Sequence, residues 1–241
     1  MSTPIIETLV PEGILVDRFQ LFAAGVNRTT IDYWLRKHQL QQVTRGVYRR
    51  PGSAFQWECV VHSLLGMGVA CRVAARSALW WHGLVVEQST PPEIILARLV
   101  PLPGWLKRLE SIARFRPWHG RPFESLSDSA VTSFSFGTQN RSIPISTPEL
   151  ALLEWLVEIH NETEFQLVDH VFSSGYRWDI KRLKNLLTIC PHQKARQLCL
   201  WFAEHNHLDL NLPNLDLGCG KIAIVKNGVF DKKYRMTVPR I

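Results

Sequence analysis

The sequence predicts an α+β protein with a winged helix-turn-helix over residues 10 to 52, in an N-terminal domain of residues 1–52, and a larger mixed α/β domain over residues 53–241. Two short segments with helical periodicity are joined by a tight, glycine-containing turn. An alternating basic segment with Arg45-Gly46 at its centre follows them and predicts a β-hairpin. Helical and strand-like segments alternate through the rest of the chain, which is typical of a mixed α/β domain.

The helix pair is defined by apolar residues at helical spacing. The first helix is predicted over residues 14–25, with Gly25 as its end, and the second over residues 28–38. Asn27 is placed to cap the second helix through its side-chain oxygen. The residues expected to face the core are Val16, Phe19, Phe22 and Ala23 on the first helix, and Ile31, Trp34, Leu35 and His38 on the second.

The second helix also has a polar face, and the hairpin that follows it is rich in arginine. The major groove of duplex DNA accepts one α-helix, so this helix is predicted to read base edges and phosphates. The hairpin would neutralise phosphates or enter the minor groove. The predicted DNA contacts are Arg28, Thr29, Thr30, Tyr33, Arg36 and Lys37 on the helix, and Arg45, Arg49 and Arg50 on the wing. A solvated basic helix and hairpin within a protein interface is the alternative.

The composition is basic, with 28 Lys and Arg against 21 Asp and Glu, and the basic residues cluster in residues 27–50, 98–121 and 221–240. Such a balance suits nucleic acid, an acidic protein or an anionic surface. No apolar segment reaches the roughly 20 residues that cross a bilayer, and the first residues do not resemble a signal peptide. Five widely spaced cysteines without a C-x-x-C pair indicate a cytoplasmic protein with reduced thiols.

In the larger domain, the best-defined helix covers residues 150–159. Thr147 is placed at its N-cap, Pro148 at its first position and Glu149 in its first turn. The other predicted helices cover residues 57–70, 74–82, 165–172, 180–188 and 193–204. The predicted strands cover residues 94–99, 113–116, 143–146, 221–226 and 234–238.

Residue patterns for catalysis or metal binding are weak. Gly218-Cys-Gly-Lys221 lacks the spacing of a phosphate-binding P-loop and instead predicts a tight turn before a strand. Asp209 and Asp216 have no acidic partner on the following strand that could complete a nuclease metal site. The Cys and His residues between 190 and 207 match no common zinc spacing. We therefore predict no enzyme activity, no metal and no cofactor.

Two lysines near the C-terminus are candidate contacts outside the predicted DNA-binding module. Lys221 and Lys226 could contact nucleic acid or an acidic toxin surface. A solvated strand face is the alternative for both.

The chain as a whole resembles the AbiEi-type antitoxins of bacterial type IV toxin–antitoxin systems. The matching segments occur in the expected order over nearly the full length. They are residues 21–28, 45–52 with Trp57, 76–79 with Gly83, 145–154, Cys190 with 194–196, 217–221 with 224–226, and Tyr234 with 237–239. Two departures are Cys219, where a serine is expected, and the segment Trp80-Trp81-His82.

The resemblance implies a two-part regulator. Its winged helix would bind double-stranded DNA at its own promoter and repress the operon, and the larger domain would oppose a nucleotidyltransferase-like toxin. No toxin-opposing residue can be carried over individually. Two alternatives remain open: a DNA-binding regulator without a toxin partner, and an enzyme that acts as a nuclease or modifies the toxin.

Overall fold

The computed structural model describes residues 6–52, 56–87, 91–96, 104–109, 111–117, 126, 128–137 and 140–240. Helices and strands are mixed along the chain, which confirms the α+β class. The chain divides into two compact units. Unit 1 comprises Met1–Arg72, Thr90–Trp118 and Ser133–Pro144, and unit 2 comprises Val73–Ser89, His119–Thr132 and Ile145–Ile241. None of the helices in the described part is both long and apolar enough to span a bilayer.

The N-terminal part of unit 1 has the element order typical of a winged helix-turn-helix. The elements are α1 (Ile6–Leu9), β1 (Val16–Asp17), α2 (Arg18–Ala23), α3 (Arg28–Arg36), β2 (Gln41–Thr44) and β3 (Val47–Arg49). The three strands form a sheet of order β1-β3-β2, in which β3 pairs antiparallel with both β1 and β2. The predicted hairpin is therefore present, with a third strand, β1, that the sequence analysis did not predict.

Trp34 and Ile31 anchor α3 in this part of the unit, as predicted, with only 5% and 2% of their surfaces exposed. The surrounding core cluster consists of Ile6, Val10, Ile14, Val16, Leu21, Val26, Leu40, Tyr48 and Cys59. Cys59 lies beyond residue 52, where the sequence analysis placed the domain boundary, so the core that holds α3 includes a residue from the following helix.

The predicted inner face of the first helix is wrong for Phe19, Phe22 and Ala23, whereas Val16 is buried as expected but lies in a strand. Asp17 caps α2 in a reciprocal capping box with Gln20, so the helix begins only at Arg18 and Val16 belongs to β1. This start directs Leu21 into the core and leaves Phe19 and Phe22 exposed, at 74% and 44%. The second helix also ends earlier than predicted: Leu35 is half-buried, and His38 is exposed, outside the helix, with a left-handed φ of 54°.

A five-stranded sheet of order β6-β5-β4-β8-β7 follows. Its strands are β4 (Cys71–Val73), β5 (Glu93–Leu96), β6 (Arg114–Pro117), β7 (Val131–Phe136) and β8 (Arg141–Ser146). Helix α4 (Trp57–Gly66) precedes it and is shorter than predicted. The reason is Gly68, whose φ of +78° ends the helical path and lets the chain enter β4. Short 3₁₀ helices cover Gly104–Leu109 and Asp128–Ala130.

Unit 2 holds the longer helices of the chain's second half. Its helices are α5 (Ala75–Trp81), α6 (Pro148–Glu158), α7 (Glu162–Ser173), α8 (Ile180–Ile189) and α9 (Gln193–His205). A small sheet of order β10-β11-β9 ends the chain, formed by β9 (Ile222–Ala223), β10 (Val229–Asp231) and β11 (Met236–Val238). The two strands predicted here are thus joined by a third, β10, which pairs antiparallel with β11, while β9 pairs parallel with it.

Helix α6 carries two buried carboxylates that organise its neighbours. Glu149, fully buried, accepts hydrogen bonds from the backbone N–H of Asp179 at 3.0 Å and from Arg182 Nη1 at 3.0 Å, where α8 begins. Glu154, 1% exposed, accepts from the backbone N–H of Ala75 at 3.1 Å, where α5 begins. Ala75 has a left-handed φ of 49°, which is unfavourable for alanine, and this hydrogen bond helps to hold it.

We expect Glu149→Ala to lower the free energy of unfolding by about 2 kcal/mol, because Arg182 and the Asp179 N–H lose their buried acceptor. The loss is smaller than for a fully buried pair because the Arg182 side chain is 30% exposed and can rehydrate. Urea unfolding at neutral pH measures it. Lys181→Ala, on the exposed side of α8, is the control and should change stability by less than about 0.5 kcal/mol. Equal effects of the two variants would contradict the role of Glu149.

Candidate nucleic-acid interface

Helix α3 begins at a side-chain cap. Asn27 has an extended backbone, and its Oδ1 accepts from the backbone N–H of Thr30 at 2.8 Å and from Thr30 Oγ1 at 2.9 Å. This is the cap that the sequence analysis predicted. The Thr30 hydroxyl is therefore engaged by the cap, which distinguishes Thr30 from the other predicted contacts on this helix.

Six residues of α3 and its C-cap were predicted to contact DNA, and five of them have exposed side chains. They are Arg28, Thr29, Tyr33, Arg36 and Lys37. Tyr33 is 48% exposed, whereas its neighbour Trp34 is buried, so the helix separates a polar face from its apolar face.

Asp32 lies among these cations and was not assigned a role from the sequence. Its carboxylate is 4.0 Å from Arg28 Nε, and its backbone oxygen accepts a 3.4 Å hydrogen bond from Arg36 Nε. The contact with Arg28 is solvent-exposed and contributes little energy. Asp32 thus tethers two of the arginines locally, and three cations on the helix face are opposed by one carboxylate.

The three arginines of the wing differ in their exposure to solvent. Arg45 is exposed in the turn between β2 and β3, next to Gly46, whose φ of +80° the tight turn requires. Arg49 is half-buried, and its Nε donates to Gln41 Oε1 at 2.8 Å across the hairpin. Arg50 follows β3 and is also half-buried. Arg45 is therefore the most accessible of the three.

Two hydrogen bonds connect the helix pair region to α4 within unit 1. Gln20 Nε2 donates to the carbonyl of Gly66 at 2.9 Å, while its Oε1 closes the capping box of α2. The backbone N–H of Leu15 donates to Ser63 Oγ at 2.8 Å. These contacts give the candidate interface a fixed support on a longer helix.

The two other basic segments differ from the first. In residues 98–121, several of the basic residues that form the second cluster of the sequence lie outside the described part of the chain. Arg114 and Arg116 lie on β6 within 3.9 Å and 3.2 Å of Glu93. In residues 221–240, Lys221 and Lys226 are exposed, just before β9 and in the turn after it. Both belong to unit 2, whereas the helix and wing belong to unit 1.

The Gly218-Cys-Gly-Lys221 segment packs against α9. Gln193 Nε2 donates to the carbonyl of Gly220 at 2.9 Å, and a Cβ at Gly218 would lie 2.5 Å from Gln193 Oε1. A side chain at position 218 would require the flexible end of Gln193 to shift, and the φ of +72° is itself a conformation that favours glycine. The backbone conformation explains this glycine without a bound phosphate.

No group of three or more His, Cys, Asp or Glu side chains that could hold a metal occurs in the described part of the chain. All five cysteines are free thiols, and four of them are buried. Burial raises the pKa of Cys71 to about 12 and that of Cys190 to about 11, which keeps both thiols protonated and unreactive at neutral pH. Cys219 is the exposed thiol among the five.

An exposed ion pair joins the end of α9 to the turn between β10 and β11. Glu204 accepts from Lys233 Nζ at 2.6 Å and from the Tyr234 hydroxyl at 2.5 Å. The hydrogen bonds from Lys233 and Tyr234 lower the pKa of Glu204. Burial and the hydrogen bond to Glu204 raise the pKa of Tyr234 to about 12.

The fold and the exposed basic helix indicate the class of protein. It is an α+β protein whose N-terminal module has the element order of a winged helix-turn-helix. Comparison with protein families then gives the relationship. Residues 5–87 match the model of the AbiEi antitoxin N-terminal domain, described as a transcriptional regulator. Residues 94–239 match the model of the AbiEi antitoxin transcriptional regulators of type IV toxin–antitoxin systems. The chain belongs to this family, as its resemblance indicated.

A solved structure supports the fold over most of the chain. The crystal structure of the RV2827C protein from Mycobacterium tuberculosis matches with a TM-score of 0.57 and 15% sequence identity. The match covers 93% of this chain and 86% of that one. A search of curated proteins found no match.

We expect Asn27→Ala to lower the free energy of unfolding by about 1 kcal/mol, because the N-terminal amides of α3 lose their side-chain acceptor. Asn27→Asp keeps an acceptor oxygen and is the matched control, with a much smaller loss. Chemical denaturation of the three proteins measures the difference. An Asp variant as unstable as the Ala variant would show that the oxygen at position 27 is not what stabilises the helix start.

The lowered pKa of Glu204 predicts a pH-dependent contribution to stability. The stabilisation is present above the ordinary value of 4.5 and is lost as pH falls through the lower pKa of the folded protein. We expect Glu204→Gln to cost less than about 1 kcal/mol at pH 7, because the pair is exposed. That cost should shrink toward zero in acid. Urea unfolding of both proteins across this range tests it, and a cost independent of pH would contradict it.

Proposed function

We propose that this protein is an antitoxin that represses its own operon and opposes a nucleotidyltransferase-like toxin, without being an enzyme. Helix α3 and the wing bind double-stranded promoter DNA, and the larger domain provides the antitoxin activity. The observation that carries the DNA-binding part is the division of α3 into a buried face, with Ile31 and Trp34, and an exposed basic face. Family membership supports the regulatory and antitoxin parts.

The exposed side chains of α3 have different tasks in this proposal. Tyr33 and Arg36 lie on the exposed face and read base edges, with Thr29 beside them. Arg28 and Lys37, near the two helix ends, meet phosphates. Thr30 keeps its place in the cap, and Asp32 lies beside Arg28 and Arg36 as the nearby negative charge on this helix.

The wing contributes through phosphate contacts. Arg45, exposed at the turn, neutralises backbone charge, and its contribution should fall with salt concentration. Arg49 and Arg50 extend this basic edge along β3. The hydrogen bond from Arg49 to Gln41 holds the Arg49 side chain across the hairpin before DNA arrives, which lowers the entropy lost on binding.

Arg36→Ala should weaken promoter binding by about tenfold, because a base or phosphate contact is lost. Arg49→Ala should also weaken it and should reduce the salt dependence by about one counterion. Fluorescence anisotropy with the region upstream of the gene, at several salt concentrations, measures both. Arg177→Ala, which removes the same charge from an exposed position in unit 2, is the control and should bind like the unchanged protein. If Arg36→Ala and Arg177→Ala bind alike, α3 is not the recognition helix.

The antitoxin part is tested by co-expression with the toxin encoded beside the gene. Expressed from an independent promoter, the protein should restore growth, and so should Arg36→Ala, because repression and antitoxicity use different parts of the chain. Failure of the unchanged protein to restore growth would leave a DNA-binding regulator without a toxin partner. A mass change on the toxin after incubation with ATP, or metal-dependent cleavage of plasmid DNA, would instead indicate an enzyme.

A further inference from the structure

The C-terminal sheet of β9, β10 and β11 has one face against the protein and one exposed face. Side chains alternate between the two faces of a strand, and partners in register share a face. Met236, paired with Ile222 and Asp231, is fully buried, which places that row on the inner face. The next row, formed by Phe230, Thr237 and Ala223, therefore lies on the outer face.

The outer face of this sheet carries one aromatic ring with small side chains beside it. Phe230 is 43% exposed, and the residues beside it in its row, Thr237 and Ala223, are small. The neighbours of Phe230 in this row therefore leave its ring uncovered. Lys221 lies on the far side of β11 from Phe230, yet its Nζ lies over the ring, 5.7 Å from the ring centre. Its side chain thus crosses the outer face and is the long side chain that an approaching flat molecule meets.

Two more cations lie in the turn between β10 and β11, and two carboxylates of this region accept hydrogen bonds from other groups. Lys232 directly follows β10 and Arg235 directly precedes β11, and both are exposed. Asp231 accepts from Trp201 Nε1 at 3.1 Å and from the Tyr234 N–H at 3.0 Å. Glu204 is occupied by Lys233 and Tyr234. No ion pair among the described residues joins Asp231 or Glu204 to Lys221, Lys232 or Arg235, so these three cations can interact with an anionic ligand.

We propose that this outer face, defined by Lys221, Ala223, Phe230, Lys232, Arg235 and Thr237, binds single-stranded nucleic acid. An unpaired base displaces the flexible Lys221 side chain from the Phe230 ring and stacks there, and the flanking phosphates meet the cations. A flat sheet face does not enter a duplex groove, and a ring can stack only on a base that is free of its neighbours, so the ligand is single-stranded. An acidic peptide would pair with the same cations, and the growth-rescue outcome below distinguishes that case. This site goes beyond the proposed function and is independent of α3.

The experiment measures binding of the full chain to fluorescein-labelled single strands of about 12 nucleotides, the length that small single-strand binding modules cover. Poly-uridine, poly-adenine and poly-thymidine strands are used at about 0.1 M salt. We expect Phe230→Leu to weaken binding about tenfold, because an aliphatic side chain cannot stack as a ring does. Lys221→Gln should weaken binding and reduce the salt slope by about 0.7.

Two controls separate this face from the rest of the molecule. Val229→Ala changes an exposed apolar residue of the same strand, 51% exposed but one position away from the Phe230 row, and should leave binding unchanged. Arg36→Ala should also leave single-strand binding unchanged, while Phe230→Leu should leave promoter binding unchanged. Because promoter binding and single-strand binding are measured separately, failure of one proposal is distinguished from failure of the other.

Several outcomes would overturn the proposal. These are no binding of any single strand by the unchanged protein, equal affinities for Phe230→Leu and Val229→Ala, or loss of single-strand binding in Arg36→Ala. If no strand binds but Phe230→Leu loses the ability to restore growth, the face is a protein-binding surface. Each variant is compared by thermal unfolding first. If Phe230→Leu unfolds at a lower temperature than the unchanged protein, the test is the salt dependence of Lys221→Gln. An unchanged salt slope in that variant would then overturn the proposal.

Discussion

The two buried carboxylates of α6 are the contacts on which the helical part of unit 2 depends. Glu149 and Glu154 sit on one helix and accept hydrogen bonds at the starts of α8 and α5, respectively. A carboxylate without water is costly unless its oxygens are satisfied, and helix N-termini supply both N–H groups and partial positive charge. The donors lie 30 and 79 residues from their acceptors, so these bonds form only when distant segments have come together. They therefore fix where two helices begin and how they meet α6.

In unit 1, a single helix serves both packing and the proposed recognition. Trp34 and Ile31 hold α3 in the core, and the residues between them project outward because the helix turns by about 100° per residue. The exposed face is therefore as rigid as the core contact behind it. Asn27 fixes the helix start, and Gln20 ties the preceding helix to α4. Preorganisation of this kind reduces the entropy that binding would cost.

The basic residues of the chain have different roles that depend on their surroundings. Arg182 is paired with a buried carboxylate and serves stability, and Lys233 is paired with Glu204 at the surface. Among the described residues, Asp32 is the carboxylate that opposes the exposed cations of α3, and Lys221 lies over an aromatic ring. Net charge alone does not distinguish these cases. At the proposed nucleic-acid surfaces, exposed cations outnumber the carboxylates that pair with them.

The sequence by itself determined the elements whose cause is local. The cap at Asn27, the burial of Trp34, the hairpin around Arg45-Gly46 and most of α6 follow from residue type and periodicity, and the order of motifs identified the family. Only the tertiary structure decided that Phe19 and Phe22 are exposed, and that β1, β4 and β10 form. These strands are two or three residues long, which carries too little periodicity to be recognised alone, and they exist because distant partners pair with them. The outer face around Phe230 was hidden for the same reason, since β10, which carries Phe230, is such a strand.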